Sequence, residues 1–167
     1  MNTPPEPWAP PNAVQDTHTG STTLSADRHA LLPNKPALPA GLAITRRSRF
    51  AVKAEGSASI QARTVVRSVL ALMVGTGGSA ELTARRIENC LAELVAIAYT
   101  RTRGEDMLCE VWMDGEHVFI SVEHDEALPL HPDQTTVGLN VVKTVADDYG
   151  THINGTIHQT WAAIRPV

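Results

Sequence analysis

The sequence predicts one α/β domain of the α+β type, a two-layer sandwich with a mixed, mostly antiparallel sheet and its helices on one face. Three observations predict it. Two amphipathic helical patterns follow each other in the first half of the domain, and alternating strands joined by Asp-Gly and Asn-Gly turns follow them. Most of the prolines precede both regions. Two amphipathic helices need a sheet on which to bury their apolar faces, and this gives the two layers.

Residues 1–44 are predicted to form a disordered, proline-rich tail, and residues 45–167 the folded domain. Eight of the eleven prolines lie in the first forty residues, among Thr, Ser, Asn and Asp. Such a segment has little periodic apolar content with which to offset the chain entropy that folding removes.

Length and composition restrict the class of protein. A chain of 167 residues with 43% hydrophobic and 19% charged residues suits one globular core. The net charge of −4 argues against general electrostatic binding to nucleic acid or anionic lipid. No apolar run approaches the roughly 20 residues of a membrane-spanning helix. Two cysteines and an N-terminus without a secretory pattern lead us to expect a cytoplasmic protein.

The first elements are a short strand and two helices. Residues 48–52 alternate like an edge strand, and Ser57 or Ser59 can cap the helix that follows. Its apolar residues recur at helical spacing up to the glycine-rich break at 75–78. Ser79 is then expected to cap the second helix, whose apolar stripe comprises Ile87, Leu91, Leu94, Val95 and Ala98.

The later elements are two hairpins separated by a helix. Strands at 108–113 and 117–122 flank Asp114-Gly115, a dipeptide that favours a tight turn with positive φ. Val118, Ile120 and Val122 should face the helices, with Phe119 and Ser121 on the other side. A third helix is predicted at about 139–149, closed by Gly150. A last hairpin turns at Asn154-Gly155. The predicted order is β-α-α-β-β-α-β-β.

Four short motifs in this order resemble those of a known superfamily. They are Glu93-Leu94-Val95-Ala96-Ile97-Ala98, the run from Val122 to Pro129, Val137-Gly138-Leu139, and Thr160-Trp161-Ala162. Together they span roughly 120 residues and resemble the GHKL (histidine kinase-like ATPase) superfamily, which has the Bergerat-type ATP-binding fold. The most similar members are the small anti-sigma-factor serine kinases and their actinobacterial relatives.

The resemblance implies a catalytic role for Glu93 and a degenerate magnesium position at Ile97. The family motif is Glu-Leu-Val-x-Asn-Ala, whose Glu assists proton removal and whose Asn binds the Mg²⁺ that bridges the ATP phosphates. Isoleucine offers no lone pair to a hard cation. Both positions lie on the helix face opposite Leu91. That face should be polar, so Ile97 is not expected to be a core residue. Magnesium binding of the family type is therefore in doubt.

The other nucleotide motifs are also incomplete. The aspartate that reads adenine aligns with His124 without a gap, or with Asp125 if one or two residues are deleted. Asp125 is assigned as the adenine ligand, with an exposed acidic turn as the alternative. The phosphate-covering motif keeps one glycine. The nucleotide-binding residues implied by the resemblance are Glu93, Asp125, Gly138, Leu139 and Thr160.

Two functions follow from the resemblance. The first is a transcription regulator that binds a sigma factor or an anti-sigma antagonist, with weak or lost binding of ATP or ADP. The alternative is an active ATP-dependent serine/threonine protein kinase with Glu93 as its base. Neither requires direct contact with nucleic acid or a membrane, and a homodimer remains open.

A third hypothesis, a metal-dependent enzyme, rests on histidines and aspartates that are close in sequence. They are His117, His124, Asp125, His131 and Asp133. No zinc-ligand spacing appears among them. His117 and His124 are an odd number of residues apart along one strand, which places them on opposite sheet faces. No metal site is therefore predicted.

Overall fold

The structure is a computed structural model that describes residues 32–37, 44–129 and 137–167. Within these ranges it contains the predicted order of elements, and the predicted α+β class is confirmed. The elements are β1 (Arg46–Lys53), α1 (Ala58–Met73), α2 (Gly78–Tyr99), β2 (Asp106–Met113), β3 (Val118–His124), α3 (Leu139–Val145), β4 (Asp148–Asn154) and β5 (Ile157–Ile164).

The five strands form one antiparallel sheet in the order β1-β2-β3-β5-β4. Each neighbouring pair is antiparallel. The sheet is thus antiparallel, and not mixed as predicted. In the part of the chain that the structure describes, parallel pairing is limited to an isolated bridge between Asn34 and Thr151 at the free edge of β4.

The core lies between the sheet and the helices. Val118, Ile120 and Val122 are fully buried on the helix side of the sheet, in one core cluster with residues of α1 and α2, as predicted from their alternation along β3. Phe119 lies on the opposite face, where its ring stacks on Trp112 with 5.3 Å between centroids. The sheet therefore buries apolar side chains on both faces.

Of the predicted helix caps, Ser57 lies at the N-cap of α1 as predicted, whereas the cap predicted for α2 does not agree with the structure. α2 begins at Gly78 with Gly77 at the N-cap, so the predicted cap at Ser79 is wrong. The N-cap has a φ of +138°, a conformation that glycine adopts at little cost. Ser57 is the N-cap of α1, but its hydroxyl donates to Glu55 and makes no cap hydrogen bond.

The third helix is shorter than predicted. α3 ends at Val145, and both Tyr149 and Gly150 belong to β4. Ala146 already has extended backbone, with ψ of 143°. Tyr149 pairs opposite Ala162 and contacts the core from β4. It matched the spacing of apolar residues in a helix although it lies in a strand.

Six residues of the predicted tail, 32–37, are packed against the domain. Leu32 is 2% exposed and Ala37 is 7% exposed. The prediction of disorder is therefore wrong for these six residues. A short segment needs no core of its own when it can pair with the edge of an existing sheet. Residues 1–31 and 38–43 lie outside the described residues. None of the described helices has the length and apolar character needed to cross a membrane.

Candidate functional site

The α2 face that carries Glu93 and Ile97 is covered by other parts of the chain. Ile97 is 1% exposed and forms an apolar cluster with Leu32 and Leu139, which are each 2% exposed. We call these three residues the pocket cluster. The expectation that position 97 lies on a polar, open face is wrong. The helical pattern identified the face toward the sheet, but α3 and the 32–37 segment bury a second face of the same helix.

Glu93 lies against the residue that precedes α3. A Cβ built on Gly138 would be 3.0 Å from Cδ of Glu93 and 3.2 Å from its Cβ. The φ of Gly138 is −61°, which any residue can adopt. A side chain at position 138 would therefore displace the Glu93 carboxylate, and no left-handed conformation is involved.

The side chains at this position do not fit a magnesium ion. Mg²⁺ requires a near-octahedral shell of oxygen ligands. Glu93 can supply carboxylate oxygens, but the neighbouring turn of α2 presents Ile97, which is packed against Leu139. Over the residues that the structure describes, no group of three or more His, Cys, Asp or Glu side chains could hold a metal.

His124 occupies a buried position beside Thr160. His124 ends β3 and is 3% exposed. Its Nδ1–H donates to the carbonyl oxygen of Glu126 at 2.7 Å, and its Nε2 accepts from the Thr160 hydroxyl at 2.8 Å. Burial lowers the pKa of His124, and the nearby His158 and Arg101 lower it further, although the hydrogen bond to Glu126 opposes them. The imidazole is therefore neutral near pH 7.

The side chain of Asp125 is hydrogen-bonded to a neighbouring loop. Its Oδ2 accepts a hydrogen bond of 2.6 Å from the backbone N–H of Arg103. The amides of Asp125 and Glu126 donate to the carbonyl of Arg101, and Arg103 pairs with Glu126 at 2.8 Å. His124, and not Asp125, is therefore the residue that is hydrogen-bonded to Thr160.

The space next to this turn is small. A cavity of about 160 Å³ is lined by residues that include Glu123, His124, Asp125 and Ile157. Pockets that bury drug-sized ligands are usually about 300–1,000 Å³. This cavity is too small to enclose a nucleotide without rearrangement.

The histidines of the metal hypothesis are separated as predicted. His124 lies on the helix side of the sheet with Thr160, whereas His117 lies near Phe119, with 6.0 Å between ring centroids. His131 and Asp133 fall outside the described residues.

Two residues that shape this region were missed by sequence reasoning. Leu32 completes the pocket cluster, and Gly150 brings the 32–37 segment close to β4. The available signal was the Leu31-Leu32 pair, which is apolar within an otherwise polar and proline-rich stretch.

Comparison with known proteins supports the fold. No protein-family model matches the sequence. No curated protein matches it either. A solved structure of the RsbU and RsbW domains of Rv1364c from Mycobacterium tuberculosis is similar, with a TM-score of 0.54 and 17% identity. The match covers 73% of this chain and 33% of the solved chain, so this protein spans about a third of the length of the solved chain. At this identity the likeness shows a shared fold alone.

Proposed function

We propose that this protein is a partner-switching regulator that acts by binding a protein, a sigma factor or an anti-sigma antagonist, and not by phosphorylating it. The pocket cluster of Leu32, Ile97 and Leu139 carries the proposal. The fold shared with a protein that contains an RsbW domain supports the class of partner.

The pocket cluster opposes phosphoryl transfer in two ways. Transfer from ATP depends on magnesium that bridges the phosphates, and Ile97 supplies no oxygen ligand. Nucleotide entry would also expose the three buried apolar side chains. Exposing a buried leucine or isoleucine costs about 1.5–3 kcal/mol each. Weak binding of ATP or ADP without magnesium is compatible with the proposal. Catalysis of phosphoryl transfer is not.

Titration calorimetry with ATP and ADP, with and without magnesium, tests the proposal. We expect no magnesium-dependent binding by the wild-type protein. An Ile97→Asn variant in the same experiment restores an oxygen ligand, and a gain of magnesium-dependent affinity would identify position 97 as the lost ligand site. Ile60→Asn is the matched control, because Ile60 is 70% exposed on α1.

The kinase alternative predicts a different result. Transfer of labelled phosphate from ATP to a sigma-factor antagonist by the wild-type protein would contradict the proposal. Loss of that transfer in Glu93→Gln would then assign Glu93 as the base. If the transfer were unchanged in Glu93→Gln, another group would have to act as the base.

A further inference from the structure

Residues 32–37 run around the free edge of the sheet, from the helix layer to the opposite face. We call the surface beneath them the edge groove. It is formed by Ile97 and Leu139 at one end, Gly150 and Thr151 at the edge of β4, and Trp161 at the other end. The segment is joined to β1 through residues 38–45.

The backbone of the segment pairs with β4 as an added strand. The amide of Lys35 donates to the carbonyl of Thr151 at 2.8 Å, and the amide of Thr151 donates to the carbonyl of Pro33 at 2.9 Å. Both outward-facing backbone groups of Thr151 are thus satisfied. Addition of an extended segment to an exposed sheet edge is a common mode of peptide recognition.

Gly150 makes this close approach possible. A Cβ built on Gly150 would be 2.9 Å from the carbonyl oxygen of Pro33 and 3.1 Å from Cγ of Lys35. The Pro33 oxygen belongs to the backbone and cannot move without breaking its bond to Thr151. Any other residue at position 150 would therefore push the segment away.

The side chains of the segment meet complementary groups. Leu32 packs against Ile97 and Leu139, and Ala37 packs on the aromatic face with Trp112 and Phe119. The Lys35 ammonium pairs with Asp148 and lies 5.5 Å from the Trp161 ring centroid.

A backbone contact adds to these. The carbonyl of Lys35 accepts a hydrogen bond of 2.9 Å from the indole Nε1–H of Trp161. The groove thus contacts an apolar, a basic and a small residue along one extended segment.

We propose that the edge groove is a binding site for an extended peptide with the pattern apolar-Pro-x-basic-Pro-small, and that residues 32–37 occupy it in cis. The contacts are local to the segment and the groove, so they should give the groove affinity for the same peptide when it is not tethered. In the wild-type protein the tethered segment competes at an effective concentration of about millimolar. This inference does not depend on loss of nucleotide binding.

A trans-binding experiment tests the proposal in the full chain. The double variant Leu32→Asp with Lys35→Glu weakens the occupant and leaves the groove intact. A fluorescently labelled synthetic peptide of residues 30–39 is titrated, and anisotropy reports binding. We expect at least tenfold tighter binding to the double variant than to the wild-type protein, and faster amide hydrogen exchange at Thr151 in the double variant before peptide is added.

Matched controls define the site. A peptide that carries the same two substitutions should not bind, and the double variant with Gly150→Val added should lose binding of the wild-type peptide. Equal binding to the wild-type protein and the double variant would overturn the proposal, as would no binding to a double variant whose β3 amides remain protected.

A single Lys35→Glu variant covers the case in which the double variant does not fold. The Lys35 side chain is 41% exposed, so this substitution leaves the pocket cluster intact. If Lys35→Glu folds, it should bind the peptide more tightly than the wild-type protein does. Its affinity should be lower than that of a variant from whose groove residues 32–37 are fully displaced. Unfolding of both variants would show that the segment is part of the core and would overturn the proposal.

Discussion

His124 is almost fully buried at the end of β3, with a hydrogen bond on each ring nitrogen. Its pKa in the folded state is below its usual value of about 6.5, primarily because burial disfavours the charged ring. His158 stacks on it with 5.8 Å between ring centroids and lowers the pKa of His124 further. His124 thus links the fold to pH.

We predict that acid destabilises the protein through His124. As the pH falls below about 6.5, the unfolded state takes up a proton on this residue before the folded state does, so the free energy of unfolding decreases. The loss continues until the pH reaches the lowered pKa of the folded state. Urea denaturation of the wild-type protein and His124→Gln between pH 5 and 8 measures the effect, and the variant should have the shallower dependence on pH.

His152→Gln is the matched control for this measurement. His152 is half-buried on β4 and makes no hydrogen bond to Thr160. The change in pH dependence caused by His124→Gln is compared with the change caused by this variant. Parallel curves for the wild-type protein and His124→Gln would show that His124 does not contribute.

Single-residue assignments were the least predictable from the sequence. The alignment left His124 and Asp125 as alternatives for one position, and the burial of His124 against Thr160, 36 residues away, could not be predicted from neighbouring residues. Ile97 was placed on a polar face because the helical pattern reports only the larger apolar stripe. Its burial depends on Leu32, which is distant in sequence. Contacts of this kind are set by tertiary packing and have no local signal.

At the scale of elements, α2 and α3 meet where Gly138 contacts Glu93. We predict that Gly138→Ala lowers the free energy of unfolding by about 1 kcal/mol, at the low end for a methyl group forced into a close contact, because the Glu93 carboxylate can rotate away. In a Glu93→Ala background the contacts with the carboxylate are gone and only the 3.2 Å contact with Cβ of residue 93 remains, so the same substitution should cost less. Urea denaturation of the four proteins of this double-mutant cycle measures the coupling.

Gly56→Ala is the control for the glycine substitution. A Cβ at Gly56 would have no atom within 4 Å, so this change should alter stability by less than about 0.5 kcal/mol. Additive effects of Gly138→Ala and Glu93→Ala would contradict the proposed contact between α2 and α3.

Helices and hairpins with a regular spacing of apolar residues were predictable from the sequence. Elements whose position depends on pairing with β4 were less predictable. α1, α2 and both hairpins follow from apolar spacing and from turn residues, since Gly115 and Gly155 have φ of +101° and +64°. The end of α3 was predicted four residues too late, because apolar residues that serve β4 matched a helical period. The 32–37 segment was missed because pairing with β4 needs little apolar content.

At the scale of the whole molecule, one core joins the helix layer to the sheet. Cys90 on α2 and Cys109 on β2 are both fully buried and belong to the same apolar cluster. Burial raises the pKa of each thiol to about 12. Only a thiolate reacts quickly with disulfide reagents, so both cysteines should be inert in the folded protein.

We predict that Cys90 and Cys109 react with an aromatic disulfide reagent at the same rate, which is set by global unfolding. A shared core gives the helix layer and the sheet one cooperative transition, so neither thiol can be exposed separately. Labelling at increasing urea, with each site resolved by mass spectrometry, measures both rates. Ser68→Cys, on the exposed face of α1, is the positive control and should react at once in the folded protein. Faster labelling of Cys90 than of Cys109 at low urea would mean that α2 leaves the sheet before the sheet itself unfolds, and the two layers would then be separate cooperative units.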